Sequence, residues 1–303
     1  MEVIQKIVDF KKKGPAKNIR TYDFSTLYTS IPHSKLKKEI AWVISKCFND
    51  KKRKYIRIGR DSARWSSTKG KNDEGWSCDE LIKHVEWLIT NIYVVCGDSL
   101  FKQKIGISMG TDCAPFLANL FLFAYEYKWL TKMFKEKKFD VLKKFNDCFR
   151  YIDDLLCINN DQLMDDVMTK IYPKELSLTS DDAVLHTHYL DLDLEIRDGK
   201  IHSKLFDKRD AFSFSIVNYP DLSGNIPAKQ SYGVFASQLI RYGRCCMHVE
   251  DFISRTKRLI SKLKSQGFKT RRLRQTFDKF ASRNYELLFK YNHSINDITS
   301  CCC

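Results

Sequence analysis

The ten residues 149–158, FRYIDDLLCI, decide how this sequence is read. Strand-forming residues flank two adjacent carboxylates, Asp153 and Asp154, in a run that otherwise asks to be buried. Such a run reads as a β-hairpin with both acids at the bend. Side chains alternate faces along a strand, but two at a tip can both reach over the rim. Adjacent anions on an apolar support repel, and one takes up a proton unless a cation lies between them. Carboxylate oxygens are the hard donors that Mg2+ prefers, so the pair is a candidate metal site. A site of this kind draws on more than one strand. Asp23, which closes the β-like run NIRTYDF (18–24), is the candidate third carboxylate. Taken singly, each acid is no more than a solvated turn residue.

Outward from the hairpin, the chain alternates strands and helices. A turn near Pro32 follows the first strand, and Ser34 is placed to cap a helix whose apolar face is Leu36, Ile40, Val43, Ile44 and Cys47. Residues 50–77 are polar, basic and Gly/Ser-containing, the composition of a mobile loop or insertion. DELIKHVEWLITNIYV resumes helix, and YVVCGDSLFKQKIGI reads as two strands about Gly97-Asp98. Ala114 to Lys138 is one long helix, apolar enough in its first half to be buried on most sides. After the hairpin come a helix near DQLMDDVMTKIY and three strand-like runs, ELSLTS, THYLDLDLEI and KIHSKLFDK. FSIVNYPDLSGNIP is irregular, and the remainder is helical and basic. The fold class expected is α+β: an antiparallel sheet with helices on one face over residues 1–230, then an α-helical region over 231–303.

The net charge of +15 points to a polyanionic partner. It is concentrated in two places. Residues 241–290 hold 14 Lys and Arg against 4 Asp and Glu, and residues 51–70 hold 8 against one. No apolar run reaches the roughly 20 residues that span a bilayer, and the N-terminus has no signal-peptide core. The expectation is an intracellular, soluble protein with no membrane partner. Eleven cysteines without CxxC spacing read as free thiols, buried where they sit in apolar segments (Cys47, Cys96, Cys113, Cys148, Cys157).

YDFSTLYTSIPH, QKIGISMGTDCAPFLANLFL and FRYIDDLLCI, in that order, resemble motifs A, B and C of a reverse transcriptase palm. Their wording, with the later YLDLDLEI and KLFDKRDAFSFSIVNYPDLSGNIPAKQSYGVFASQLIRYGR, resembles the Penelope-like retroelement type over residues 18 to 245. The resemblance implies RNA-directed DNA polymerase activity, with a primer on an RNA or DNA template, a dNTP, and two Mg2+ ions, or Mn2+ in their place. It implies Asp23 and Asp153 as metal ligands, Asp154 completing the cluster, and the carbonyl of Phe24 as a further ligand. Tyr28 matches the aromatic ring beneath the incoming sugar, and Met109 and Gly110 match the turn where backbone approaches the nascent base pair. In the thumb-like region, Arg255, Lys257, Arg258, Lys262, Lys264, Arg271, Arg272 and Arg274 are the candidate phosphate contacts. A nuclear location follows from the same resemblance.

The sequence departs from the family in one respect. Only 22 residues precede Asp23, so a fingers region with its triphosphate-gripping cations is largely missing, unless a partner chain supplies it. The expectation is therefore a truncated palm and thumb, and the alternative is an idle remnant that binds nucleic acid without synthesis. A metal nuclease using the same acids would need a nearby base, for which His33 is the candidate.

Overall fold

The computed structural model describes residues 14–70, 75–180, 184–214, 216 and 218–302, with the backbone alone at 295, 296, 301 and 302. Residues 1–13, parts of the irregular 214–227 stretch and Cys303 lie outside the described residues. Contacts divide the chain into two compact units, Arg20–Asp182 and Ala183–Cys303, the latter including the chain up to Ile19. The division thus falls at 182/183, where the sequence reading put a boundary at 230/231. The strands after 183 belong to the same unit as the C-terminal helices.

The Arg20–Asp182 unit is built on a four-stranded sheet. Its strands are β1 (Ile19–Phe24), β7 (Cys148–Tyr151), β8 (Asp154–Ile158) and β9 (Leu178–Ser180), in the order β7-β8-β1-β9. In β1, Ile19, Tyr22 and Phe24 are buried, whereas Asp23 is exposed. The central strand β8 is buried from Leu155 to Ile158, so both of its faces are covered. The expectation of cover on one face is corrected there, and the double burial accounts for the unbroken apolar run LLCI.

Helix α1 (Leu27–Ser30) is a single turn after β1, and α2 (His33–Lys51) follows. Pro32, not Ser34, occupies the N-cap of α2, and no side chain caps it. A proline there sacrifices nothing, since the first N–H groups of a helix have no intrahelical partner. The basic stretch expected to be a loop forms a small sheet instead: β2 (Tyr55–Ile58), β3 (Ala63–Ser66) and β4 (Gly75–Trp76), in the order β3-β2-β4. Trp65 of β3 packs edge-on against Phe48 of α2 at 5.0 Å, which anchors the small sheet on that helix.

Helix α3 (Cys78–Thr90) begins with a capping box. Glu80 N–H donates to Ser77 Oγ at 3.3 Å and Ser77 N–H donates to Glu80 Oε2 at 2.8 Å. The Ser77 N–H, and then Lys69, hold the Glu80 carboxyl down from the usual 4.5 to about 2. A depressed folded-state value means that the box contributes stability above about 4.5, which is lost as pH falls toward about 2. A carboxyl-detected NMR titration of Glu80 is expected to show its midpoint near the lower value. A midpoint at the usual value would show that the box does not form in solution.

Strands β5 (Tyr93–Cys96) and β6 (Ser99–Lys102) form a hairpin about Gly97 (φ 58), and all eight strand residues are exposed. Helix α4 (Ala114–Lys135) has Pro115 in its first turn and lysines in its last, both favourable to the helix. It buries Leu117, Ala118, Phe121, Leu122, Trp129 and Met133 in a core shared with Tyr22, Phe24, Leu36, Ile40, Leu155 and Cys157. Full burial of Phe121 or Leu122 stabilises by roughly 1.5–3 kcal/mol each. Helices α5 (Phe139–Lys144) and α6 (Leu163–Ile171) complete this unit.

The second unit carries β10 (His186–Tyr189), β11 (Leu192–Arg197) and β12 (Lys200–Leu205) as an antiparallel meander. THYLDLDLEI is therefore not one strand but two, turning at Leu190 (φ 54) and Asp191. Five helices follow: α7 (Ala228–Cys245), α8 (Val249–Ser265), α9 (Thr270–Arg283), α10 (Tyr285–Phe289) and α11 (Ile295–Cys302). Ser203 Oγ donates to the Cys245 carbonyl at 3.0 Å and Met247 N–H to the Ser203 carbonyl at 2.9 Å, tying β12 to the end of α7. Arg241 forks onto Asp191 at 2.9 and 2.6 Å.

Eight described cysteines are free. Cys157, Cys245 and Cys246 are buried, but Cys47 and Cys96 are exposed, contrary to the reading that all thiols in apolar segments are buried. No described helix is long and apolar enough to cross a membrane.

Candidate active site

Because β8 and β1 are neighbours, the hairpin tip and the end of β1 meet. Phe24 N–H donates to the Asp153 carbonyl at 3.4 Å, so Asp23 and Asp153 belong to adjacent stretches of one sheet. Tyr151 and Asp154 are the last cross-strand pair, leaving Ile152 and Asp153 as a two-residue turn. Ile152 has φ 55, a left-handed conformation that β-branched residues rarely adopt. Such a residue persists only where its surroundings over-determine it, at a cost of order 1–3 kcal/mol.

Arg150 does much of that determining. Its guanidinium donates to the Ile152 carbonyl at 3.0 Å, forks onto Glu126 of α4 at 2.6 and 3.0 Å, and reaches Asn119 Oδ1 at 2.6 Å. Tyr172 O–H donates to Glu126 Oε1 at 2.9 Å, and its ring meets Phe24 edge-on at 4.8 Å. Burial, and then the Glu126 carboxylate, push the Tyr172 phenol well up, so it remains a donor. Arg150, Glu126, Asn119 and Tyr172 escaped the sequence reading, since their pairings span 24 to 46 residues. The one available cue was a cation next to an otherwise apolar hairpin.

Tyr28 lies on α1, half-buried against the core. Burial, and then the Asp153 carboxylate, raise its phenol, which places the ring in the field of the hairpin tip. The QKIGISMG segment is anchored on the same turn. Ile107 N–H donates to the Tyr28 carbonyl at 2.7 Å and Gly106 N–H to the Ile31 carbonyl at 2.8 Å. Gly106 has φ 81, and a Cβ there would stand 2.4 Å from the Tyr28 carbonyl oxygen. Gly110 differs: no atom lies within 4 Å of its missing Cβ, and Met109 beside it is 73% exposed. His33 Nε2 lies 2.9 Å from the Gly106 carbonyl, so this imidazole secures the same segment.

Asp23 is exposed and Asp153 and Asp154 are half-buried. Three carboxylates and a backbone carbonyl are an all-oxygen donor set, which fits a hard divalent cation. Among the described residues, however, the three aspartates do not draw their oxygens within 4.8 Å of one another. His186, His188 and Asp193 do.

The candidate phosphate contacts belong to the second unit. Lys257, Arg258, Lys264, Arg271, Arg272 and Arg274 are exposed on α8 and α9. Arg255 and Lys262 hold protein groups instead. Arg255 pairs with Asp210 and donates to the Leu205 carbonyl at 3.1 Å, and Lys262 donates to the Ile216 carbonyl at 2.5 Å beside the Tyr219 ring.

No protein-family model matches the chain, and no curated protein does. Among solved structures it is similar to telomerase from Candida albicans in complex with a TWJ fragment of telomeric RNA. The TM-score is 0.64 at 13% identity, over 99% of this chain and 51% of that one. Apo telomerase from Candida tropicalis matches at 12% identity over 99% of this chain and 52% of that one, with a TM-score of 0.45. The chain spans about half the length of the telomerase chains it matches. At this identity the likeness to the Candida albicans structure shows the fold alone: mixed α/β with antiparallel sheets and helices.

Proposed function

We propose that the chain is the palm and thumb portion of an RNA-directed DNA polymerase of the Penelope-like retroelement type. The observation that carries this reading is the meeting of β1 and β8, which brings Asp23 beside the Asp153–Asp154 tip within a polymerase-like fold. Asp23, Asp153, Asp154 and the Phe24 carbonyl would hold two Mg2+ ions, or Mn2+. When bound, these supply acidity to a primer 3′-hydroxyl and counter-charge to a triphosphate. The residues of the chain do the rest. Arg150 and Glu126 fix the turn that offers Asp153, Tyr28 lies under the sugar of the incoming dNTP, and Gly110 leaves space for the nascent base pair. Exposed cations of α8 and α9 neutralise duplex phosphates, giving salt-dependent affinity without sequence choice. A nuclear location accords with such a substrate.

Primer extension tests the proposal: an RNA template with a DNA primer, dNTPs and Mg2+, with Asp153→Asn alongside. Extension that falls at least about 100-fold in the variant is the expected result, since each carboxylate ligand acts on the transition state. Duplex binding that is retained without extension in either protein would reduce the chain to a nucleic-acid-binding module.

A further inference from the structure

The outer face of the β10–β11–β12 meander gathers an unusual share of the imidazoles. His186 and His188 of β10, His202 of β12, and His248, whose Nε2 is 2.8 Å from His202 Nδ1, are four of the seven histidines in the chain. The period of two along each strand explains the grouping, because the opposite face carries Thr187, Tyr189, Leu192 and Leu194 into the core. Within this group, one atom each from His186, His188 and Asp193 lies within 4.8 Å of the others. His186 Nε2 is 2.5 Å and His188 Nδ1 3.3 Å from Asp193 Oδ1.

We propose that His186, His188 and Asp193 form a binding site for a divalent first-row transition ion, with Zn2+ the representative, distinct from the all-oxygen aspartate site. Two imidazoles and one carboxylate are the donors that borderline ions take and that Mg2+ passes over. Three features make this more than a chance surface cluster. Register places His188 directly opposite Asp193, so the donors come from a rigid two-strand frame rather than from loops. The His188 ring is stacked on Phe206 at 3.8 Å and 13°, which orients its nitrogen without using it. Asp193 is only 13% exposed, and its second oxygen is ion-paired with Lys204 Nζ at 3.3 Å, an outer contact of the kind that aims a ligating carboxylate. The two histidines are themselves exposed, so the ion would keep open positions for water. Bound there, it would cross-link β10 to β11 beside a turn that runs through Leu190 in the left-handed region.

The test is calorimetric titration of the full, chelator-stripped chain with Zn2+ in excess Mg2+, which occupies oxygen-only sites. His186→Gln combined with His188→Gln is compared in parallel. The wild type is expected to bind one more equivalent than the variant, or to bind it at least about 100-fold more tightly. Any sites at the cysteines are common to both proteins and cancel. Identical isotherms would overturn the proposal. Imidazole NMR on the wild type gives a second reading that needs no variant. One equivalent of Zn2+ must shift the ring signals of both His186 and His188, and unmoved signals would refute the site whatever the variant does. Neither measurement depends on polymerase activity, so failure of this site and failure of the polymerase reading are distinguishable.

Discussion

Replacing Arg150 with methionine is expected to cost about 3 kcal/mol of unfolding free energy or more. The reason is the state in which it leaves its neighbours. Arg150 is 10% exposed and Glu126 24%, so removing the guanidinium strands a largely enclosed carboxylate whose one remaining donor among the described residues is Tyr172. It also removes the donor to the Ile152 carbonyl that helps to hold a left-handed isoleucine in the turn. Urea unfolding measures the loss. If Arg150→Met with Glu126→Leu recovers most of it, the stranded charge is the cause. A single variant within about 0.5 kcal/mol of wild type, the range of ordinary surface changes, would refute the role assigned to the network.

Gly106→Ala carries the second large effect. Its φ of 81 already penalises a side chain by about 1–2 kcal/mol, and the added Cβ would meet a backbone oxygen, which cannot rotate away. Relief requires the turn bearing Tyr28 to shift, so a total loss of about 3 kcal/mol is expected. Gly110→Ala is the control, with open space around it and an expected change within about 0.5 kcal/mol. If Gly110 makes room for a nascent base pair, that control should fold normally yet extend a primer poorly. Equal stability losses at the two positions would contradict the geometry.

The hairpin at 148–158 and the strand ending at Phe24 were legible because strand formers around polar tips are a local signal. The long helix from Ala114 was legible from the length and apolar character of its first half. The β2–β4 sheet was not: its short strands are interrupted by Arg57 and Arg64 and lie in a strongly basic stretch, and the contact that anchors Trp65 is with Phe48 of a different element. The split of THYLDLDLEI was hidden because the turn uses Leu190, where glycine or asparagine would have announced it. That miss concealed the histidine cluster as well, since His188 meets Asp193 only once the chain has doubled back. Motif-level reading also drew attention to Gly110, whereas the glycine the protein packs against is Gly106. Of the candidate site, the carboxylates could be found by type and position. Their supports, Arg150 with Glu126, are a tertiary pairing that spacing along the chain does not encode.

The β5–β6 hairpin gives the molecule two clocks. Its eight strand residues are all exposed, Val95 at 72% and Leu100 at 66%, and a two-stranded ribbon on its own is marginal in water. Its amides should exchange with solvent through local openings that leave the rest of the molecule closed, whereas those of β8 should await near-global unfolding. The change of tempo falls at Gly106 and Ile107, beyond the end of the ribbon at Lys102, where the chain is fastened to Ile31 and to Tyr28 of α1. A segment expected to breathe thus ends three or four residues before a fastened one, and Met109 and Gly110 sit just beyond the fastening.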